Sequence, residues 1–158
     1  MYRIGLGSDI HRLIPDRKLI LGGIEVPFTK GADAHSDGDV LLHALTDALL
    51  GSLALGDIGQ HFPNSDEKWK HAKSKRFVEH ALHLVNEKGY ELANMDATII
   101  TEEPRLKAHL PAMCENIAQL LKTELANVSI KAGTNERCDS IGNGEALSAQ
   151  VIVLLKKI

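Results

Sequence analysis

Two histidines and one aspartate near the start of the chain have the residue types and spacing of a metal site. Asp9 and His11 lie in a run of alternating side chains, so a strand would place both on one face. Gly5 and Gly7 share that face and should leave the space beside the two side chains open. His43 lies in a predicted helix that could bring a third ligand to the same point. Two imidazoles and one carboxylate, with a fourth position open, are typical of catalytic zinc.

Carboxylates four residues before and after His43 are candidates to orient its ring. Asp39, His43 and Asp47 share one face of the predicted helix, because residues four apart are neighbours on a helix surface. A metal-bound histidine usually donates its second ring N–H to a carboxylate or another acceptor. We therefore expect Asp39 or Asp47 to be that acceptor. A solvated helix face with a weak Asp–His pair, beside a polar edge strand, would give the same spacing.

Two other segments contain residues suited to phosphate. Ser36 or Asp37 could cap the helix that follows, and backbone N–H groups at a helix N-terminus also bind phosphate. Near the end of the chain, Gly133, Thr134 and Glu136 follow a predicted strand. Such a strand exit can cradle phosphate and hold a hard cation, although a plain loop fits the spacing equally well.

The hydrophobic pattern predicts the elements that must position these residues. The predicted strands cover residues 2–13, 92–103, 128–132 and 147–155. A hairpin is predicted at 18–26, with Gly22-Gly23 as its two-residue turn. The predicted helices cover residues 37–55, a segment from 74 to the stop at 89, and a segment that begins between 104 and 111. The last strand is almost continuously apolar, which predicts burial on both faces. Residues 56–73 show no period, and so long a loop is more often functional than not, which suggests a lid.

This order of elements predicts an α/β (α+β two-layer sandwich) fold, with a mixed sheet, helices on one face and a single domain over residues 1–158. The net charge is −3 and the basic residues are scattered, which argues against nucleic-acid binding. The apolar runs are too short for a membrane span. The chain enters a strand at once, without a signal peptide, and has only two cysteines. We therefore expect a cytoplasmic protein.

The sequence resembles the 2-C-methyl-D-erythritol 2,4-cyclodiphosphate synthases of the non-mevalonate isoprenoid pathway over essentially its whole length. The likeness is carried by motifs at residues 3–11, 21–23, 35–51, 54–59 and 142–145. It implies a homotrimeric lyase with sites between neighbouring subunits. The implied substrate is 4-diphosphocytidyl-2-C-methyl-D-erythritol 2-phosphate, whose 2-phosphate attacks the β-phosphorus and releases CMP.

The resemblance also implies roles for individual residues. Asp9, His11 and His43 would hold Zn²⁺, and Glu136 would help to hold a second divalent cation, Mg²⁺ or Mn²⁺. Catalytic or supporting roles would fall on Asp57, Asp66, Lys70 and Thr134. The implied substrate-binding residues are His35, Ser36, Asp57, Gly59, Phe62, Asn64, Thr101, Pro104, Arg105, Leu106, Lys107, Gly133, Thr134 and Glu136. Within this set, residues 101–107 would form the cytosine pocket.

Two other functions fit the same residues. A zinc phosphodiesterase would use water as the nucleophile and give a linear product. A non-enzymatic sensor of metal or nucleotide would keep the pocket and show no turnover. Analysis of the product formed from the diphosphocytidyl substrate distinguishes all three.

Overall fold

The computed structural model describes residues 1–158 and contains one five-stranded mixed sheet, a separate hairpin and five helices. The strands are β1 (Tyr2–Pro15), β2 (Leu19–Leu21), β3 (Ile24–Val26), β4 (Lys30–Ala32), β5 (Tyr90–Ile100), β6 (Val128–Gly133) and β7 (Ala146–Lys157). The helices are α1 (Val40–Ser52), α2 (Ile58–His61), α3 (Lys75–Glu87), α4 (Leu110–Leu120) and α5 (Asp139–Gly142). The sheet order is β4-β1-β7-β5-β6, in which only β5 and β6 are parallel. The predicted mixed α/β fold is confirmed.

Helix α1 lies at the centre of the core and is shorter than predicted. The sequence indicated a helix over 37–55, whereas α1 spans Val40–Ser52 and is buried on almost every side. It starts late because Gly38 has a φ of +74° and Asp39 caps the first turn, a role expected of Ser36 or Asp37. It stops early because Ala54 has a φ of +56°, which no helix continues.

Gly5 and Gly7 let α1 lie directly against β1. A Cβ atom on Gly5 would stand 1.9 Å from the carbonyl oxygen of Ala48. The expectation that these glycines leave open space beside the ligands is therefore wrong, because the helix backbone fills that space. The close approach instead brings the face of α1 that bears His43 to the face of β1 that bears Asp9 and His11.

Asp39 ties the β2–β3 hairpin to the start of α1. Its carboxylate accepts hydrogen bonds from the backbone N–H groups of Gly22, Gly23 and Leu42, at 3.0, 2.7 and 3.0 Å. Both glycines have positive φ, as the predicted two-residue turn requires. Burial raises the pKa of Asp39 to about 6, although hydrogen bonds from Leu42 and Gly23 oppose that shift.

The outer face of the sheet is apolar and exposed. Strand β7 alternates between buried and exposed positions, so the prediction that it is buried on both faces is wrong for this chain. Helices cover one face only, and on the other Ile4 is 70% exposed and Ile152 is 47% exposed. Tyr2, Leu6 and Ile10 extend the same surface along β1. None of the helices combines the length and the apolar character that crossing a bilayer requires.

Candidate active site

Asp9, His11 and His43 meet where β1 contacts α1. The Asp9 Oδ2 atom lies 2.9 Å from His11 Nε2 and 3.1 Å from His43 Nδ1, and the two ring nitrogens are 3.1 Å apart. A tetrahedron with metal–ligand bonds of about 2.0 Å has edges of about 3.3 Å. The three donor atoms therefore fit one face of a zinc coordination shell. The predicted clustering of these residues is confirmed, and no other cluster of possible metal ligands is found in the chain.

The charge at this cluster favours a bound cation. Burial alone would raise the pKa of Asp9, but hydrogen bonds and ion pairing with His11 and His43 hold that pKa well below its usual range. Asp9 therefore stays ionised. A carboxylate and two imidazoles that face one point are good ligands for a divalent ion of the zinc type.

The second ring nitrogen of His43 contacts hydroxyl groups rather than carboxylates. His43 Nε2 lies 2.8 Å from Ser74 Oγ and 3.1 Å from Ser36 Oγ. The expectation that Asp39 or Asp47 orients this ring is wrong, because both carboxylates are used elsewhere. Asp39 caps the helix, and Asp47 accepts the N–H of Ile58 at 2.7 Å. The two residues share the helix face, but backbone groups that need acceptors lie nearer to them than the ring does.

The cluster opens into a cavity of about 250 Å³. Its wall brings together many residues that the sequence predicted as metal- or substrate-binding: Asp9, His11, His35, Ser36, His43, Gly59, Phe62 and Asn64. The wall also includes residues that sequence reasoning missed: Asp33, Ala34, Ile58, Trp69 and Phe77. Phe62 and Trp69 come from the long loop, so that loop does form one side of the cavity. Its role as a lid remains a prediction.

Arg17 holds the segment that carries His35 and Ser36. Its guanidinium donates to the carbonyl oxygen of Ala34 at 2.8 Å and to that of Ser36. No carboxylate lies within ion-pair distance of Arg17, so its two carbonyl contacts are what hold the guanidinium here. No motif in the sequence signalled this contact, because it joins residues on opposite sides of the hairpin.

Three predicted residues from the loop over 56–73 lie outside this cavity wall. The Asp57 carboxylate caps α2 by accepting the N–H of Gln60 at 2.9 Å. The Asp66 carboxylate accepts the N–H of Lys68 at 3.0 Å, while the Asp66 carbonyl lies 3.2 Å from His35 Nε2. Lys70 is exposed. The predicted catalytic roles of Asp57, Asp66 and Lys70 therefore stay predictions.

A second cavity, of about 300 Å³, lies at the C-terminal ends of β5 and β6. Its wall includes the predicted residues of the cytosine pocket and the phosphate cradle: Thr101, Pro104, Arg105, Leu106, Lys107, Gly133 and Thr134. It shares no residue with the first cavity. Glu136 lies beyond this wall on an exposed turn with a φ of +49°, and its N–H lies 3.3 Å from Thr134 Oγ1. Within this chain the Asp9–His11–His43 cluster and the predicted nucleotide pocket therefore lie in two separate cavities.

The chain is similar to known proteins in both sequence and fold. A family model described as the YgbB family matches residues 2–156. A relative from Trichlorobacter lovleyi named 2-C-methyl-D-erythritol 2,4-cyclodiphosphate synthase is 50% identical over 97% of this chain and 98% of its own length. The bifunctional IspDF structure from Campylobacter jejuni has a TM-score of 0.96 at 40% identity, covering 100% of this chain and 43% of that one. A CDP-bound synthase structure has a TM-score of 0.90 at 36% identity, covering 98% and 100%.

Proposed function

This chain belongs to the YgbB family, and we propose that it acts as a 2-C-methyl-D-erythritol 2,4-cyclodiphosphate synthase. It converts 4-diphosphocytidyl-2-C-methyl-D-erythritol 2-phosphate to the 2,4-cyclodiphosphate and CMP, as a phosphorus–oxygen lyase of the non-mevalonate isoprenoid pathway. The observation that carries the proposal is the Asp9–His11–His43 cluster, which opens into a cavity beside His35 and Ser36. Full-length similarity to synthases of that name supports the same conclusion.

The reaction needs neutralisation and alignment more than acid–base chemistry. An oxygen of the 2-phosphate forms a bond to the β-phosphorus, while the bond from that phosphorus to the bridging oxygen breaks and CMP leaves. Both partners are anions, so the site must reduce their repulsion and hold the attacking oxygen in line. Zn²⁺ at the cluster and Mg²⁺ or Mn²⁺ near Glu136 would supply positive charge and Lewis acidity.

The residues of the chain position the substrate. His35 and Ser36 lie on the wall beside the metal cluster, where their side chains can donate hydrogen bonds to a phosphate. The apolar side chains of Phe62 and Trp69 on the same wall suit the methylerythritol carbon chain, and they exclude water from the reacting phosphates. On the second cavity, the backbone around Gly133 and the hydroxyl of Thr134 suit a phosphate of the nucleotide.

A homotrimer would join two half-sites: the metal half at the Asp9–His11–His43 cluster and the nucleotide half at the second cavity. The metal cluster and the nucleotide pocket share no residue in one chain, so a neighbour that supplies the second half would complete the site. The exposed apolar residues on the outer face of the sheet, such as Ile4 and Ile152, support burial between copies. A closed head-to-tail ring forms one such shared site at each interface.

Turnover with the diphosphocytidyl substrate tests the proposal. We expect CMP and the cyclic diphosphate in equal amounts, with the two coupled phosphorus signals of a diphosphate in the ³¹P spectrum. A linear bisphosphate would favour the phosphodiesterase. Binding of CMP without turnover would favour the sensor.

A further inference from the structure

We propose that Ser74, held by Asp37, is a positioning residue that keeps hydrogen on His43 Nε2 and so presents the lone pair of His43 Nδ1 to the metal. The inference rests on the metal-binding part of the proposed function. It concerns two residues to which the family motifs above give no role.

Ser74 uses its hydroxyl group in an unusual way for its position. It occupies the N-cap of α3, where a serine normally accepts a backbone N–H of its own helix, yet its side chain makes no such hydrogen bond. Ser74 is 0% exposed, and its Oγ atom instead lies 2.8 Å from His43 Nε2 and donates to Asp37. The helix thus gives up its cap while the hydroxyl group connects the ring to a carboxylate.

The direction of these hydrogen bonds follows from the number of available hydrogens. Asp37 accepts the backbone N–H of Asp39 at 3.1 Å, the backbone N–H of Ser74 at 3.0 Å and the Ser74 hydroxyl. A carboxylate offers only acceptors, and a serine has a single O–H. Because that hydrogen points to Asp37, Ser74 Oγ can only accept from His43. His43 Nε2 must therefore carry the hydrogen.

The same assignment leaves the other ring nitrogen of His43 ready to bind a metal. In the neutral ring, hydrogen on Nε2 leaves the lone pair on Nδ1, the atom that lies 3.1 Å from both Asp9 Oδ2 and His11 Nε2. A metal ligand must offer a lone pair, so the reverse tautomer would have to move its hydrogen before binding. The hydrogen bonds that link Asp37, Ser74 and His43 make that transfer of hydrogen unnecessary.

Ser36 benefits from the same arrangement. Its Oγ atom lies 3.1 Å from His43 Nε2 and accepts the N–H of Gly38 at 3.3 Å. Because Nε2 already carries a hydrogen, it cannot accept the hydroxyl hydrogen of Ser36. That hydrogen is free to point into the cavity, where a phosphate oxygen would accept it.

The test compares three variants of the zinc-loaded protein. Ser74→Ala removes the acceptor. Asp37→Asn keeps Ser74 but can turn an amide N–H towards its oxygen, which frees the hydroxyl hydrogen to compete for His43 Nε2. Ser52→Ala is the matched control, because Ser52 is also buried and donates only to the carbonyl of Leu49 within α1.

Zinc affinity is measured by competition with a chromophoric chelator, and ring hydrogens are observed by NMR with ¹⁵N-histidine. We expect Ser74→Ala and Asp37→Asn to weaken zinc binding roughly 10- to 100-fold. We also expect Ser74→Ala to lose the slowly exchanging Nε2–H signal of His43. Ser52→Ala should match the parent protein in both measurements.

Thermal unfolding in excess chelator separates this role from a general loss of stability. Zinc affinity within about twofold of the parent in both variants, or an unchanged ring N–H signal in Ser74→Ala, overturns the inference. Failure of the proposed metal site is a different result, since the parent protein would then bind zinc no better than His43→Ala does.

Discussion

Gly7 lies so close to Ala44 that a Cβ atom on Gly7 would stand 1.7 Å from the Ala44 carbonyl oxygen. This contact sets the distance between β1 and α1, and therefore the distance between His11 and His43. The obstacle is helix backbone, which cannot turn aside as a flexible side chain can. The geometry of the Asp9–His11–His43 cluster thus depends on Gly7, a position that has no side chain.

Replacement of Gly7 by alanine should damage both stability and metal binding. We expect a loss of about 3 kcal/mol in the free energy of unfolding, because the helix must move away from the strand. Zinc affinity should fall as well, since His43 moves with the helix. Gly51→Ala is the control within α1: its Cβ would meet only the Leu6 carbonyl oxygen at 4.0 Å. That variant should gain up to about 1 kcal/mol. Equal urea midpoints for the two variants would contradict this explanation.

His43→Ala should remove bound zinc without unfolding the protein. The ring supplies one of three donor atoms, so its loss leaves a two-ligand site that holds zinc weakly. We expect a drop in activity of at least about 100-fold and less than one zinc per ten chains by atomic absorption. His83→Ala is the control, because His83 is exposed on α3 and pairs only with Glu87. Full zinc occupancy in His43→Ala would rule out this ligand set.

Asp39 should make the protein less stable as the pH rises. Its folded-state pKa of about 6 lies above the unfolded value of 3.8, so its stabilising effect is complete below pH 4 and is lost through pH 6. The expected loss is about 2–3 kcal/mol between pH 4 and pH 7. Asp39→Asn cannot titrate. The unfolding free energy of the parent minus that of the variant, measured in EDTA, should therefore decrease as the pH rises from about 4 to about 7. A difference that does not change with pH would count against a pKa raised by burial.

Two inactive variants should restore one another if the half-sites meet between subunits. His43→Ala disables the metal half, and Ala132→Trp blocks the nucleotide half, because Ala132 lies on the wall of the second cavity. In randomly mixed trimers made by co-expression, about a quarter of the sites combine two intact halves. Activity should return to roughly that fraction of the parent value. Verified mixed trimers that remain inactive would place the whole site within one subunit.

The sequence predicts most of the fold because each prediction depends on local patterns. The alternation of β1 placed Asp9 and His11 on one face, and Gly22-Gly23 marked the hairpin turn. The i, i+4 spacing around His43 failed for a physical reason: it identifies neighbours on a helix but says nothing of which other groups compete for them. The backbone N–H groups of Gly22 and Gly23 donate to the Asp39 carboxylate, and that of Ile58 donates to the Asp47 carboxylate.

The parts that could not be predicted depend on contacts between distant segments. Ser74 contacts His43 across 31 positions, and Arg17 contacts Ser36 across 19. Neither residue belongs to a motif with a local signature. The prediction that β7 is buried on both faces failed for a related reason. Its apolar residues alternate between the core and an outer face of the sheet that a single chain leaves uncovered.

The origin of the oxygen atoms in the product tests the central claim, which is attack by the 2-phosphate of the substrate itself. Turnover is run in H₂¹⁸O with the zinc-loaded enzyme, and both products are weighed by mass spectrometry. Intramolecular cyclisation predicts that neither CMP nor the cyclic diphosphate contains ¹⁸O, because no water takes part in the step. One ¹⁸O atom in CMP or in a linear bisphosphate would show that water is the nucleophile, and the assignment as a cyclodiphosphate synthase would be wrong.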